Sequence, residues 1–369
     1  MTGVGSLVLV AGFFLGTGLP GKWLSAAESF GPLQVGQLGL ISGLFMVWLI
    51  PLDFLGGFWL PRKYHKSRQG FREWLWSYVP AALVQATLFV LFGSLILLLS
   101  QQWGRLGGGV SVSLLTVALV IIRNRLQLNR QVDSPACTEK LVDAIAMIRS
   151  WEIFVPRVVV VDHKDAGFTG GIIGLPARAN ILIPGGWLSF STEQLAVAIA
   201  RRALAVDSGS YARGLALAFA WNLGGFLLCS ILPGGGLATV AGLATTLCGF
   251  TLWSFLGLLL LPTVSRNASL KIDQSLVERG MPFRLISETA SSMDRLQDNE
   301  PVRPGLVETI FHPVPSVAGR NRRQPVRGIA AWNVARTALF FSWACLGFLS
   351  RSVHCNVGRP ELWTMLPTD

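Results

Sequence analysis

Apolar and polar positions divide the chain into long apolar runs, short basic segments and two longer polar regions. The apolar runs cover residues 7–19, 38–60, 78–100, 106–122, 214–232, 237–261 and 329–349. A helix needs about 20 apolar residues to cross the hydrocarbon core of a bilayer, so these runs predict six or seven transmembrane helices. The first run is short, the second is interrupted by Pro51 and Asp53, and the last is weakened by Arg336.

Basic residues cluster at Arg62, Lys63, Lys66, Arg68 and Arg72 after the second run, and at Arg123, Arg125 and Arg130 after the fourth. The segments around Arg105 and around 233–236 carry almost none. The positive-inside bias therefore predicts that the N-terminus, the 61–77 loop and both polar regions are cytoplasmic, with the tail after Leu349 outside. Trp74, Trp76 and Tyr78 at one end of the third run, and Trp103 at the other, suit interfacial anchors.

The polar regions, 123–213 and 264–327, are separated by a membrane hairpin and are expected to fold as one domain, because neither alone has much to bury. The first carries a helical pattern, TEKLVDAIAMIRSW, then two β-branched stretches, RVVVVD from Arg157 and ANILIP from Ala179, that read as short strands. Between them lies GFTGGIIG, which lacks the Lys-Ser/Thr ending of a phosphate loop and opens no helix, so it reads as a turn. STEQLAVAIARRALAVDSGSY follows from Ser191. Ser191 and Gln194 have the spacing of a capping box, and the apolar turns behind them are interrupted only by Arg201 and Arg202. Gly12/Gly16 and Gly39/Gly43 have small-xxx-small spacing, as often met by chance in a glycine-rich chain as in close helix packing.

Composition supports the membrane reading: 51% of the 369 residues are hydrophobic and 14% charged, too apolar for an ordinary soluble globule. The net charge of +11 resides in loops flanking apolar runs. With no basic stripe interleaved with aromatics, nucleic acid is excluded as a partner. The five cysteines, at 137, 229, 248, 345 and 355, form no Cys-x-x-Cys pair and imply neither a disulfide framework nor a metal site. The first residues have no basic leader and no small-x-small cleavage site, and read as a retained anchor.

The order of helix, strand, glycine turn, strand, capped helix, membrane hairpin and polar helix resembles the integral-membrane zinc metallopeptidases of the type I CAAX prenyl protease and HtpX-like family. In that family the capped helix bears H-E-x-x-H, whose histidines bind zinc and whose glutamate is the general base; a glutamate after the hairpin is the third ligand. Aligning EQLAVAIARRALAV on this pattern sets Arg201 at the first histidine, Arg202 at the base and Ala205 at the second histidine. Aligning SRNASLKID sets Ser269 at the third ligand and Asp273 at an aspartate the family retains. Phe168 in DAGFTGG matches a substrate-edge segment, and His312, Pro313 and Arg320 in HPVPSVAGR match a late His-Pro…Arg segment. The stretch 51–78 resembles the amino-terminal membrane module of the CAAX branch.

The resemblance implies a multi-pass, mainly α protein with an α+β metallopeptidase-like domain that has lost its zinc ligands. Its segments are a transmembrane module (1–122), the cytoplasmic domain (123–213 and 264–328), a hairpin (214–263) and a last helix with its tail (329–369). Arginine offers only N–H donors, so no zinc or other cofactor is expected. His65, His163, His312 and His354 include no pair one helical turn apart, and no G-x-S-x-G or paired Cys/His signature is present. Arg201 and Arg202 either snorkel to the surface or one of them pairs with Asp273. Phe168, His312 and Arg320 are candidates for a peptide or partner cleft, with a locally bonded His312 as the plainer reading.

The expected function is that of a catalytically inactive scaffold or accessory subunit, in the lipid bilayer of a bacterial inner membrane and partnered by other membrane proteins. The alternatives are an active zinc endopeptidase with other ligands, and a transporter or channel component using Asp53, Asn222 or Arg336.

Overall fold

The computed structural model describes residues 2–27, 29–64, 69–128, 135–162, 168–297, 299–322, 326–353 and 357–360, without the side chains of 127–128, 135–138 and 311. His65, His163 and His354, residues 165–167 of the glycine turn, Cys355 and the Cys137 side chain lie outside the described residues.

The chain is mostly helical. In order come α1 (Thr2–Thr17), α2 (Leu19–Trp23), α3 (Pro32–Asp53), α4 (Leu60–Lys63), α5 (Phe71–Leu128), α6 (Pro135–Ser150), β1 (Arg157–Val161), β2 (Gly171–Ile173) and β3 (Asn180–Pro184). There follow α7 (Thr192–Asp207), α8 (Ser210–Cys229), α9 (Val240–Glu278), α10 (Phe283–Leu296), α11 (Gly305–Phe311), α12 (Val317–Asn321), α13 (Val334–Phe341) and α14 (Leu349–Ser352). Two compact units result: Met1–Leu119 with Phe219–Gly257 and Ala338–Thr364, and Val120–Ala218 with Leu258–Thr337 and Met365–Asp369.

Among the described residues, four helices are long and apolar enough to cross a membrane: Pro32–Lys63, Phe71–Leu126, Ser210–Cys229 and Val240–Glu278. They support a membrane-embedded protein, with fewer spans than the six or seven expected. The physical reasons are local. Helix α1 has 16 residues, short of a full crossing. Two expected spans are the arms of α5, which breaks at Gly104 with φ 58° and ψ −140°, a backbone conformation only glycine adopts without strain. Behind that break a Cβ on Gly107 would meet the Leu99 carbonyl, so glycine is what lets the arms close on each other. The last expected span, 329–349, is not one helix: α13 gives way to a 3-10 turn at Ser342–Cys345, and Leu346 sits at φ 57°.

In the first unit, Pro51 cannot donate to the α3 ladder, and the wider π-turn Phe54–Trp59 follows it before α4 resumes. Helices α8 and α9 meet through Trp221 and Trp253, stacked at 4.5 Å, the Trp253 Nε1–H donating to the Trp221 carbonyl at 3.0 Å.

In the second unit, β3 is the central strand, parallel to β1 and antiparallel to β2. Both sheet faces are covered, which is why β1 reads as consecutive valines. One face carries Val159, Val161, Phe168, Ile173 and Leu182. The other packs Val160, Ile181 and Ile183 against α6, α7, Ala268 and Ile272 of α9, and Ile286 and Met293 of α10. Helix α7 is buried all round from Leu195 to Ala205, so its apolar run is a core helix. Its start is the expected capping box: Ser191 Oγ accepts from the Gln194 N–H at 3.2 Å, and Gln194 Oε1 from the Ser191 N–H at 3.4 Å. A hydrogen bond from Ser191 also holds the Glu193 carboxyl below its usual range. Gly209, at φ 69°, ends the helix.

Within this unit a Cβ on Gly214 would collide with the Trp332 carbonyl, whereas one on Gly224, in the first unit, would meet nothing within 4 Å. Gly214→Ala is expected to destabilise the protein by ~1–3 kcal/mol through overpacking, while Gly224→Ala is neutral or mildly stabilising. Thermal unfolding of the detergent-solubilised variants measures the difference.

Candidate functional site

The positions that sequence reading singled out converge in the second unit, where α7, α9 and α12 meet. Helix α7 brings Arg201, Arg202 and Ala205; α9 brings Ser269 and Asp273 one turn apart; α12 brings Arg320. All six are at most 5% exposed.

Asp273 is the centre of the arrangement. Arg201 Nε donates to its Oδ1 at 2.8 Å, and Arg320 Nη1 forms an ion pair with its Oδ2. Each carboxylate oxygen thus faces its own guanidinium, which is how a buried carboxylate offsets its desolvation. The Arg201 guanidinium also lies 5.8 Å from the centroid of the Trp332 ring. Arg202 is turned elsewhere, because successive helical residues are rotated by about 100°. Its Nη2 donates to the Thr169 carbonyl at 2.8 Å and its Nη1 to the Ala198 carbonyl at 3.0 Å, and its guanidinium lies 4.8 Å over the Trp187 ring. Neither arginine snorkels. One ties α7 to α9 and α12, and the other ties α7 to the segment leading into β2.

The remaining candidates have separate engagements. Phe168 is buried in the cluster on the outer sheet face. His312 caps the end of α11: its N–H donates to the Glu308 carbonyl at 3.3 Å, and its own carbonyl accepts from Arg266 at 3.2 Å. The Glu308 carboxylate receives the Ser316 N–H at 2.8 Å and hydroxyl at 2.9 Å, fixing the start of α12 and so the placement of Arg320. Arg320, read as a cleft residue, is turned inward to Asp273.

Guanidinium groups have no lone pair with which to bind a metal or accept a proton, Ala205 has no polar atom, and a neutral serine hydroxyl such as that of Ser269 is not among the usual zinc donors. The side chains at the four positions therefore do not fit zinc or a general base. Among the described residues no cluster of three His, Cys, Asp or Glu side chains is placed to hold a metal ion. The arrangement holds three helices together by charge, with both oxygens of its central carboxylate engaged by guanidinium groups. Sequence reading missed Arg320 as the second partner of Asp273, and Thr169 and Trp187 as partners of Arg202. A comparison with protein-family models and with curated proteins finds no match for this chain.

Arg201→Ala and Asp273→Ala are each expected to cost about 3–5 kcal/mol, since each strands a buried charge. The double variant should cost well below the sum of the two, and coupling of Arg202→Ala to Asp273→Ala should be the smaller. Double-mutant cycles on thermal unfolding test this; equal coupling for the two arginines would sink the assignment.

Proposed function

We propose that this protein is a catalytically inactive, metallopeptidase-like membrane protein that serves as a scaffold or accessory subunit of a membrane protein complex. The observation that carries the reading is the Arg201–Asp273–Arg320 arrangement. Where the resemblance requires two imidazoles, a base and a carboxylate ligand, the chain has Arg201, Ala205, Arg202 and Ser269, and a neighbouring carboxylate is taken up by two guanidiniums. A domain that keeps a packed core while its chemical positions are given over to internal ion pairs acts through what it holds, not what it cleaves. The basic 61–72 and 123–130 segments favour a bacterial inner-membrane location with the polar regions cytoplasmic. The partners under this reading are other membrane protein subunits alongside the lipid bilayer.

Purification from native membrane in mild detergent tests the proposal. The expected result is a chain without stoichiometric zinc, without chelator-sensitive proteolysis, and eluting at a fixed ratio with another membrane protein. One zinc per chain with chelator-sensitive cleavage would overturn inactivity; elution of the chain alone would overturn the subunit role.

A further inference from the structure

The first unit contains a buried charge pair that plays no part in the proposed function. Arg351 is 1% exposed, and so is Asp53. Arg351 Nη2 donates to Asp53 Oδ2 at 2.6 Å and to the Tyr78 hydroxyl at 2.9 Å, while its Nη1 donates to Gln85 Oε1 at 2.5 Å. The Tyr78 hydroxyl itself donates to Asp53 Oδ2 at 2.9 Å, and Asp53 Oδ1 accepts the Gly358 N–H at 2.7 Å. Ionisable groups among membrane-spanning helices are costly and are kept where they do something specific.

The contacts of the surrounding segment show what this pair secures. Early in the segment, the Asn222 side chain donates to the Ala338 carbonyl at 3.0 Å, and Cys345 Sγ lies 3.9 Å from the Asn222 carbonyl. Leu346 then reaches Gly93 of α5, and the Phe348 ring stacks 5.7 Å from Phe89 and lies tilted 4.5 Å from Phe45. Arg351 comes next, beside Gln85 and Tyr78, and Gly358 accepts from Trp74 Nε1 at 3.0 Å. As the chain advances from 346 to 358, its neighbours on α5 therefore fall from 93 to 74, a retreat of ~28 Å at the helical rise per residue. The turn is made at Leu346, φ 57°, and Gly347, whose N–H groups are satisfied internally by the carbonyls of Trp343 and Ser342. The far end of the unit is marked by Gly104 and by Gln101, which donates to the Ala238 carbonyl at 2.9 Å. Gly93 lies ~16 Å short of that end along α5. A helix that continued from Leu346 toward that end would carry Arg351 to about the level of Leu98, not of Tyr78.

We propose that the chain after Asn333 is a re-entrant strap: it enters among the apolar helices, turns back at Leu346–Gly347 and leaves at the end where α5 begins, pinned by the Arg351–Asp53 pair. Irregular backbone at membrane depth is tolerated only when buried within protein, and the internal hydrogen bonds and ring contacts of this turn meet that condition. Residues 357–360 thus lie at the Arg72 end of α5, opposite to the end expected after a crossing helix.

Single cysteines at Pro360, Arg72 and Gln102, in the full chain with Cys137 and Cys355 replaced by serine, test the path with a membrane-impermeant maleimide on sealed vesicles. Pro360→Cys is expected to label from the same side as Arg72→Cys; labelling with Gln102→Cys would overturn the strap. The pin is read from N-ethylmaleimide labelling of Ser350→Cys, a buried position. Arg351→Ala and Asp53→Asn should each raise that rate at least ~10-fold, because breaking a buried pair strands a charge, and the exchanged pair Asp53→Arg with Arg351→Asp should restore protection in part. Unchanged labelling in both single variants would overturn the pin.

Discussion

A carboxylate removed from water must be matched by donors, and in each unit of this protein one buried aspartate meets that requirement with groups from distant parts of the sequence. Asp273 gathers Arg201 from α7 and Arg320 from α12. Asp53 gathers Arg351, Tyr78 and the Gly358 amide. Neither set is interchangeable with looser contacts, because an unmatched buried charge costs several kcal/mol while a matched one roughly breaks even. The aspartates thus contribute specificity of arrangement more than bulk stability.

Packing around the second-unit pair is otherwise apolar. Helix α7 is enclosed by the sheet, α6, α9 and α10, and its arginines are its only charged side chains between Leu195 and Ala205. Their placement follows from helical geometry: with a rotation of about 100° per residue, only one of two adjacent arginines can face α9. Arg201 does so, and Arg202 turns to the Thr169 carbonyl and the Trp187 ring. The same side chains that supply charge to the core offer no lone pair, which is why the site reads as a structural junction.

Much of the fold was legible in the sequence where the signal is local. The capping box at Ser191, the strands at Arg157–Val161 and Asn180–Pro184, and the helix leading to Ser150 all follow from residue type and period. The long apolar helices were legible too, whereas the number of spans was overcounted. Apolar length alone does not register a residue such as Leu346 in the left-handed region, or tell a broken pair of short helices from one long one. At the candidate site, the alignment brought Arg201, Arg202, Ala205, Ser269 and Asp273 together. Arg320 was assigned to a cleft because its sequence context says nothing of the Glu308 contact that orients its helix.

By itself, then, the sequence determined what depends on neighbours along the chain: helix starts, strand periodicity and the apolar character of the spanning segments. The tertiary structure decided which arginine meets Asp273, where Arg320 and Arg351 go, and that the last apolar run turns back. Those outcomes rest on contacts between residues 47 to 298 positions apart, such as Arg320 with Asp273 and Arg351 with Asp53. Such pairs form only when desolvation forces each buried charge to find its partner, and the partner is whatever the fold brings within reach.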